Sequence, residues 1–330
     1  MDFDPGVLER LKKLEDKYEA MGQDIKSYLD GLLYADSTTY WHYLRVDTLL
    51  QLQVPKTDFP DEMVFIMYHQ ITELYFKLVL HEMEQICNNG REVSKTGEDK
   101  GWKDQLDADF FTERLIRINR YFESLTSSFA IMVDGMEKDQ FQRFRMSLLP
   151  ASGFQSVQYR KIEIGATDFK NLVAVDMRKD VTDSSTIEEM YENIYWKRGA
   201  IELASGKKTL TLEQFEKNYS EELLELSHSR SGNNLWQKYI GLSESDQQKE
   251  KLIMALRQFD VNVNVNWPLV HYKSAVRYLH TEGEDIAATG GTNWQKYLPP
   301  KFTKRIFYPA LWSDIEKEQW GRGWVDSVLK

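Results

Sequence analysis

The feature that most constrains the fold is the segment 61–88, which is apolar on more than one face of a helix. It begins with Asp61 and Glu62 directly after Pro60, and it ends near Asn88-Asn89-Gly90, which are typical helix limits. A helix that is apolar nearly all round belongs in the centre of a domain. The sequence therefore predicts a central helix with these apolar residues: Val64, Phe65, Ile66, Met67, Leu74, Phe76, Leu78, Val79 and Leu80.

Helical periodicity recurs along most of the chain, and only 18 Gly and 8 Pro interrupt 330 residues. We therefore predict an all-α fold, a single helical-bundle domain over residues 1–330 with an N-terminal arm helix within 1–37. The loops at 150–160 and 282–300 are predicted to be functional. The predicted helices are 6–33, 38–53, 61–88, 108–134, 137–147, 188–198, 211–226, 233–240, 244–260 and 262–281, and the other predicted loops are 88–107, 164–187 and 199–210.

Charge and composition exclude several classes of protein. The chain carries 42 Lys and Arg against 52 Asp and Glu, a net charge of −10, which disfavours a nucleic-acid partner. The lone Cys87 excludes an internal disulfide and any multi-cysteine metal site. No secretory signal and no apolar run of about 20 residues is present, so we expect a cytoplasmic protein without a membrane partner. The common phosphate-binding and serine-nucleophile motifs are also absent.

Two of the six histidines, His69 and His271, lie in strongly apolar surroundings. A single histidine there is more often a core residue than a ligand. However, two such residues in a chain with 13% aromatic residues fit a haem site, because haem needs one imidazole ligand and an apolar slot. The rival di-iron bundle requires two Glu-x-x-His units, and only Glu225–His228 has that spacing. The sequence therefore favours haem over di-iron.

Two other segments have unusual composition. Residues 141–163 place Arg143 and Arg145 just before a Pro-Ala-Ser-Gly break, which suits a guanidinium that binds an anionic group in a pocket. Arginines that pair with surface carboxylates at a helix end are the alternative. Residues 287–300 contain Gly290-Gly291 between two threonines, which suits either a loop that approaches a ligand or a simple linker.

Taken together in order, four blocks resemble the tryptophan 2,3-dioxygenase family over about residues 38–300. They are TYWHYLRVDTLLQLQ, DEMVFIMYHQITELYFKLVLHE, LLPASGFQSVQYRKIE, and WPLVHYKSAVRYL with the TGGT loop that follows it. The resemblance implies an all-α fold, a homotetramer built as a dimer of dimers, and haem b as cofactor. It also implies the insertion of both atoms of O2 across the indole C2–C3 bond of L-tryptophan, giving N-formyl-L-kynurenine.

The resemblance also implies roles for individual residues. His271 would be the axial iron ligand, with Trp267 and Ser152 as further haem-binding residues, and His69 would be the distal catalytic histidine. The residues that would bind the substrate are Phe65, Phe141, Arg145, Leu148 and Thr289, together with Tyr40, Tyr43 and Leu44, which family members insert into the site of a neighbouring subunit.

Two departures from the family pattern stand out. The chain reads Pro60-Asp61-Glu62 where the family commonly has His-Asp-Glu, and it carries about four additional residues in the stretch 280–285. Three other functions stay open at this point. They are a related haem enzyme that mono-oxygenates a substituted tryptophan or tyrosine, a haem sensor without turnover, and a helical interaction protein without a cofactor.

Overall fold

The structure is a computed structural model that describes residues 3–35, 38–94, 97–201, 207–280 and 294–322, without the side chains of residues 296 and 297. The chain divides into two compact units, Met1–Val54 and Pro55–Lys330, and each is considered by itself. Helices dominate both units, which confirms the predicted all-α class. The single domain over 1–330 and its assembly into an oligomer stay predictions.

In its described residues, the N-terminal unit contains four helices where two were predicted: α1 (Pro5–Ala20), α2 (Ile25–Tyr34), α3 (Tyr40–Leu44) and α4 (Val46–Leu49). The prediction of one helix over 6–33 was wrong because α1 ends at Ala20, and Gly22, two residues later, has a left-handed φ of 67°. Around it, the N–H groups of Gly22 and Gln23 donate to the carbonyls of Glu19 and Tyr18, the bonding pattern of a Schellman motif. Arg45, whose φ of 53° is also left-handed, separates α3 from α4.

The predicted central helix is confirmed as α5 (Pro60–Cys87). Its buried face packs against α6 (Ala108–Ser128), which in turn packs against α15 (Glu250–Val261). These three helices supply much of the core, including Phe76, Val79, Ile86, Phe111, Leu115, Phe122, Leu252 and Phe259. One face of α5 stays exposed, however, and carries Met67, Ile71, Leu74 and Leu78.

The start of α5 accommodates the unusual Pro60, since a proline at the first turn loses no helical hydrogen bond. Asp61 joins this turn to the next part of the chain, because its Oδ2 accepts from the Glu137 N–H at 2.6 Å. The buried Glu62 accepts from the N–H groups of Lys56 and Thr57, both at 2.8 Å. Burial alone would raise the pKa of Glu62, but these hydrogen bonds outweigh it and lower the pKa.

Several other helices are shorter than predicted, or begin elsewhere. Helix 108–134 breaks at Phe129 into α6 and α7 (Ala130–Asp134), and 137–147 becomes α8 (Lys138–Phe144) followed by a 3-10 turn, Arg145–Leu148. A 3-10 turn at Gly153–Gln155 and helix α9 (Val157–Ala166) occupy much of the predicted loop 150–160. The helices that follow are α10 (Ile187–Glu192), α11 (Tyr195–Gly199), α12 (Leu210–Arg230), α13 (Leu235–Ile240), α14 (Glu244–Gln247), α15, α16 (Trp267–Leu279), α17 (Trp294–Tyr297), α18 (Pro300–Thr303) and α19 (Asp314–Glu318).

Side-chain caps explain where many of these helices start. Asp107, Ser156, Thr186 and Thr209 each accept a hydrogen bond from the first turn of α6, α9, α10 and α12 respectively. A cap depends on a single residue and leaves no apolar periodicity in the sequence. The periodicity that predicted the longer helices therefore did not predict α9, which starts at the cap of Ser156.

Two departures from regular helix are local. A two-stranded antiparallel hairpin, β1 (Arg91–Val93) and β2 (Asp99–Trp102), lies in the predicted loop 88–107, with Arg91 opposite Trp102 and Glu92 opposite Gly101. A π-helical turn, Asn262–Asn266, joins α15 to α16 and so begins the helix that was predicted over 262–281. Within the described part of the chain, no helix is long and apolar enough to cross a membrane.

Candidate active site

The two histidines that the sequence singled out have the same local geometry. His69 lies on α5 and its Nδ1 is 2.7 Å from the carbonyl oxygen of Phe65, one turn earlier. His271 lies on α16 and its Nδ1 is 2.9 Å from the carbonyl oxygen of Trp267, again one turn earlier. A carbonyl oxygen only accepts, so each Nδ1 carries the proton and each Nε2 keeps its lone pair. Both rings can therefore act through Nε2.

Burial keeps both imidazoles neutral. It lowers the pKa of His271 to about 4; the bond to the Trp267 carbonyl opposes this shift, and the charge on His69 adds to it. Burial also lowers the pKa of His69, although its bond to Phe65 and the charge of Glu73 oppose the shift. His69 contributes to the lowering of the His271 pKa although the two residues are 202 positions apart in the sequence. That the two histidines share one site stays a prediction.

The His271 side of the site is aromatic. The ring of Trp267 lies 4.4 Å from the His271 ring, and the ring of Phe129 lies at the same distance from it. Phe129 and Trp267 also contact each other edge to face at 5.3 Å. The sequence analysis missed Phe129 because it fell inside a helix predicted to be continuous, whereas the break between α6 and α7 places it against His271.

The His69 side is aromatic as well. Phe65 lies 4.1 Å from the His69 ring and also contacts Phe144 at 5.8 Å and Phe141 at 6.2 Å. Phe141 in turn lies 4.6 Å from Tyr278, which is two turns after His271 on α16. Phe65 and Phe141 were predicted from the resemblance, whereas Phe144 and Tyr278 were not. The spacing of Tyr278 from His271 on one helix was the available signal.

The 3-10 turn Arg145–Leu148 follows this aromatic wall directly, because Phe144 is the last residue of α8. Arg145 is only 7% exposed, and burial lowers the pKa of its guanidinium, which nevertheless stays protonated at neutral pH. Leu148 packs against the core beside it. Arg143, in contrast, is exposed, and the pairing of these arginines with surface carboxylates stays the alternative.

Ser152 is held in place by the loop that carries it. Its Oγ accepts from the Phe154 N–H at 3.4 Å, and its own N–H donates to Gln155 Oε1 at 3.2 Å. Gln155 Nε2 then donates to the Thr211 carbonyl, which ties the loop to α12. Gln158 Nε2 donates to the Glu73 carbonyl at 2.9 Å, one turn after His69. The loop is thus bound to the helix of the distal histidine.

A buried ionic cluster lies behind this loop. Glu163, on α9, accepts from Arg160 Nη1 at 2.9 Å, from the Tyr195 hydroxyl at 2.5 Å and from Arg305. Arg160 Nη2 also donates to the Phe154 carbonyl at 3.2 Å, so the cluster fixes the loop from the inside. These desolvated ion pairs are costly to break because one partner would be left charged and alone. We expect the loop to be rigid for this reason.

Four other predicted site residues stay predictions. Thr289, and with it most of the predicted loop 282–300, lies outside the described residues. Tyr40, Tyr43 and Leu44 belong to the N-terminal unit, on the short helix α3, where all three are exposed. Their insertion into the site of a neighbouring subunit stays a prediction.

The arrangement fits a cofactor that needs one axial nitrogen. Neutral His271 with a free Nε2 is the form of imidazole that binds iron, and its Nδ1–H to carbonyl bond is the usual support of a ligating histidine. The aromatic rings around it suit a flat apolar group. Within the ranges described by the structure, no cluster of three His, Cys, Asp or Glu side chains could hold a metal by itself.

Comparison with known proteins gives a consistent result. The family model described as tryptophan 2,3-dioxygenase matches residues 31–265, a range that contains His69, Arg145 and Ser152 and stops before His271. The chain is 41% identical over 130 residues to the tryptophan 2,3-dioxygenase of Ruegeria sp. strain TM1040, which is 39% of this chain and 42% of that relative. It is 27% identical over 293 residues to the protein of the same name from Herpetosiphon aurantiacus, 84% of this chain and 98% of the relative. The family match covers well over half of the sequence, and the chain therefore belongs to the tryptophan 2,3-dioxygenase family.

Proposed function

We propose that this protein catalyses the haem-dependent cleavage of the indole C2–C3 bond of L-tryptophan by O2, giving N-formyl-L-kynurenine. Membership of the family and the names of its relatives support this reaction. The observation that carries it is the pair of part-buried, neutral histidines, His69 and His271, each with a free Nε2. Both oxygen atoms enter the product, so the reaction needs no external reductant to balance.

His271 would hold the iron of haem b through Nε2, and Trp267 would fix the imidazole through its carbonyl and the contact between their rings. When bound there, haem b would supply the activation of O2. The protein's own contribution is to hold one neutral, correctly oriented imidazole. A ring fixed by a backbone hydrogen bond keeps its direction without having to reorganise.

His69 would bind the indole. Its Nδ1 donates to the Phe65 carbonyl, so its Nε2 accepts, and the indole N–H is a donor only. This complementarity would orient the indole ring against His69, and Phe65 packs beside that histidine. The lowered pKa of His69 keeps the acceptor available at neutral pH.

Arg145 would bind the carboxylate of the substrate. A guanidinium presents two parallel N–H groups to a carboxylate, and this pair strengthens where water is excluded. Arg145 is buried next to the aromatic wall of Phe65, Phe141 and Phe144, which meets that condition. Leu148 would line the same pocket, and we extend the proposal to Thr289 and Ser152 on the basis of the family resemblance.

We further propose a homotetramer in which Tyr40, Tyr43 and Leu44 complete the site of a neighbouring subunit, and a cytoplasmic location. The exposure of these three apolar residues supports the first proposal, since large apolar side chains commonly become buried on assembly. A sedimentation measurement on the full chain tests the tetramer directly.

The decisive experiment expresses the full chain with haem supplementation, reduces it without oxygen, and adds L-tryptophan followed by ¹⁸O2. We expect a Soret band and a product that has gained two labelled oxygen atoms. A product with one labelled oxygen would instead support the mono-oxygenating relative. Haem binding without any product would support the sensor, and the lack of a Soret band would refute every haem-dependent reading.

A further inference from the structure

We propose that Tyr159 is a positioning residue for His271, because its hydroxyl holds the π-helical turn from which the helix of His271 begins. This inference rests on the proposed function only in treating His271 as the haem ligand. The hydrogen bond of the Tyr159 hydroxyl is made within the protein and does not require haem. It joins α9 to the π turn Asn262–Asn266, two parts of the chain that are about 100 residues apart.

The π turn leaves one carbonyl without a helical donor. In a regular α-helix, the Trp267 N–H would donate to the Val263 carbonyl, but here it donates to the Asn262 carbonyl. The next possible donor to Val263, by the π pattern, is residue 268, and that residue is Pro268, which has no N–H. Val263 is fully buried, so water cannot satisfy its carbonyl.

Tyr159 supplies the missing donor. Its hydroxyl lies 2.9 Å from the Val263 carbonyl oxygen, an ideal length for this bond. Arg305 Nη2 donates to the Tyr159 hydroxyl at 3.3 Å and lies 3.5 Å from the same carbonyl, the outer limit for a hydrogen bond. The tyrosine is therefore the principal partner of the carbonyl, and Arg305 orients its hydroxyl so that the proton points to Val263.

The aromatic core joins Tyr159 to His271 by a second route. Phe76 contacts the Tyr159 ring at 5.5 Å and the Trp267 ring at 5.8 Å. Trp267 in turn contacts His271 through its ring and accepts the Nδ1 proton of His271 through its carbonyl. A shift of the π turn would therefore move the carbonyl that sets the orientation of the imidazole.

The same tyrosine is attached to the loop of Ser152. Its backbone N–H donates to Ser156 Oγ at 3.3 Å, in the cap of α9 that directly follows the loop. Tyr159 therefore joins the loop predicted to lie beside the haem to the helix predicted to ligate it. We infer that Tyr159 couples the position of the Ser152 loop to the position of the helix that carries His271.

The test removes only that hydroxyl, with the variant Tyr159→Phe. The matched control is Tyr239→Phe, since the buried Tyr239 also donates its hydroxyl to a backbone carbonyl, that of Gln247, at 2.9 Å, but lies on α13 and touches none of the proposed site residues in the contacts described. Tyr239→Phe loses one part-buried hydroxyl-to-carbonyl bond, whereas Tyr159→Phe loses a buried one together with the acceptor of Arg305 Nη2. We therefore expect both variants to have a lower melting temperature, with the larger decrease in Tyr159→Phe.

Two measurements then distinguish positioning from general stability. In the haem-free protein, amide hydrogen exchange over residues 263–271 should become about tenfold faster in Tyr159→Phe, the effect of losing about one buried hydrogen bond. It should stay at the wild-type rate in Tyr239→Phe. In the reduced haem protein, the iron–imidazole stretching band should shift in Tyr159→Phe only, and haem should dissociate at least about threefold faster.

The inference is overturned if the exchange rates and the iron–imidazole band of Tyr159→Phe match those of Tyr239→Phe. This outcome differs from a failure of the proposed function. If the wild-type protein bound no haem, the proposed function would fall, while the exchange measurement on the haem-free chain would still decide whether the hydroxyl holds the π turn. If Tyr159→Phe proved much less stable than the control, faster exchange spread over the whole protein rather than confined to residues 263–271 would also refute the inference.

Discussion

The proposed binding of the substrate carboxylate by Arg145 allows the sharpest test of the proposed site. The perturbation is Arg145→Lys, which keeps the positive charge and loses the planar pair of donors. Arg145 is 7% exposed, and its pKa is lowered by burial, so solvent screens its interactions little. A lysine would place one compact charge where the structure provides for a guanidinium.

The magnitude follows from this burial. Losing one charge-assisted hydrogen bond in a desolvated site costs about 1.5–3 kcal/mol, which corresponds to about a 10- to 150-fold decrease in kcat/KM for L-tryptophan. If Arg145 were a surface residue, screening would limit the effect to about 1 kcal/mol, or about fivefold. The two cases are therefore separable by steady-state kinetics.

Tryptamine lacks the carboxylate, so measuring both substrates with both the wild type and Arg145→Lys gives a double-mutant-type cycle for the contact. We expect tryptamine to be a poor substrate of the wild-type protein, because it cannot form the charge-assisted pair with the guanidinium that L-tryptophan would form. The kcat/KM for tryptamine should decrease little further in Arg145→Lys, since tryptamine has no carboxylate that could bind the guanidinium. The change in kcat/KM should therefore be large for L-tryptophan and small for tryptamine.

Arg143→Lys is the matched control, because Arg143 lies two residues earlier on α8 and is exposed. We expect its kcat/KM for either substrate to stay within about twofold of the wild type, as is usual for a solvated surface cation. Equal proportional losses for L-tryptophan and tryptamine in Arg145→Lys would refute the reasoning. They would show that Arg145 supports the fold and does not bind the carboxylate.

Three further predictions concern the cofactor, the assembly and the pH dependence of stability. His271→Ala should lose haem or its five-coordinate ferrous spectrum, whereas His69→Ala should keep haem and lose rate; an unchanged spectrum in His271→Ala would contradict the assignment. Removal of residues 1–45 should abolish both assembly and activity, as measured by sedimentation and product formation, so a fully active monomer would be the contrary result. Burial raises the pKa of Asp260 to about 6, so the folded state holds a proton that the unfolded state has lost between about pH 4 and 6. The free energy of unfolding should therefore fall as the pH rises through this window, by on the order of 3 kcal/mol, and Asp260→Asn should remove that slope; an unchanged slope in denaturant titrations would show that another group causes it.

Local signals in the sequence were sufficient for the central helix and the class of fold. Pro60 and the acidic first turn mark the start of α5, and Gly90 follows its last residue by three positions, because caps and breakers act through their own backbone. The apolar context of His69 and His271 is equally local, and it identified both residues before any spatial information. The motif resemblance supplied Phe65, Phe141 and Arg145, which the fold places along one aromatic wall.

What the sequence left undecided depends on contacts between distant segments. The break that places Phe129 on His271 and the π turn at Asn262–Asn266 have no periodic signature. In the π turn, the Val263 carbonyl loses its helical donors, which is tolerated only because the hydroxyl of Tyr159 arrives from another helix. Periodicity reports which face of a helix avoids water, and it carries no information on which distant donor will satisfy a buried acceptor. That pairing is decided when the helices pack, since a buried carbonyl without a donor costs more than most single contacts return.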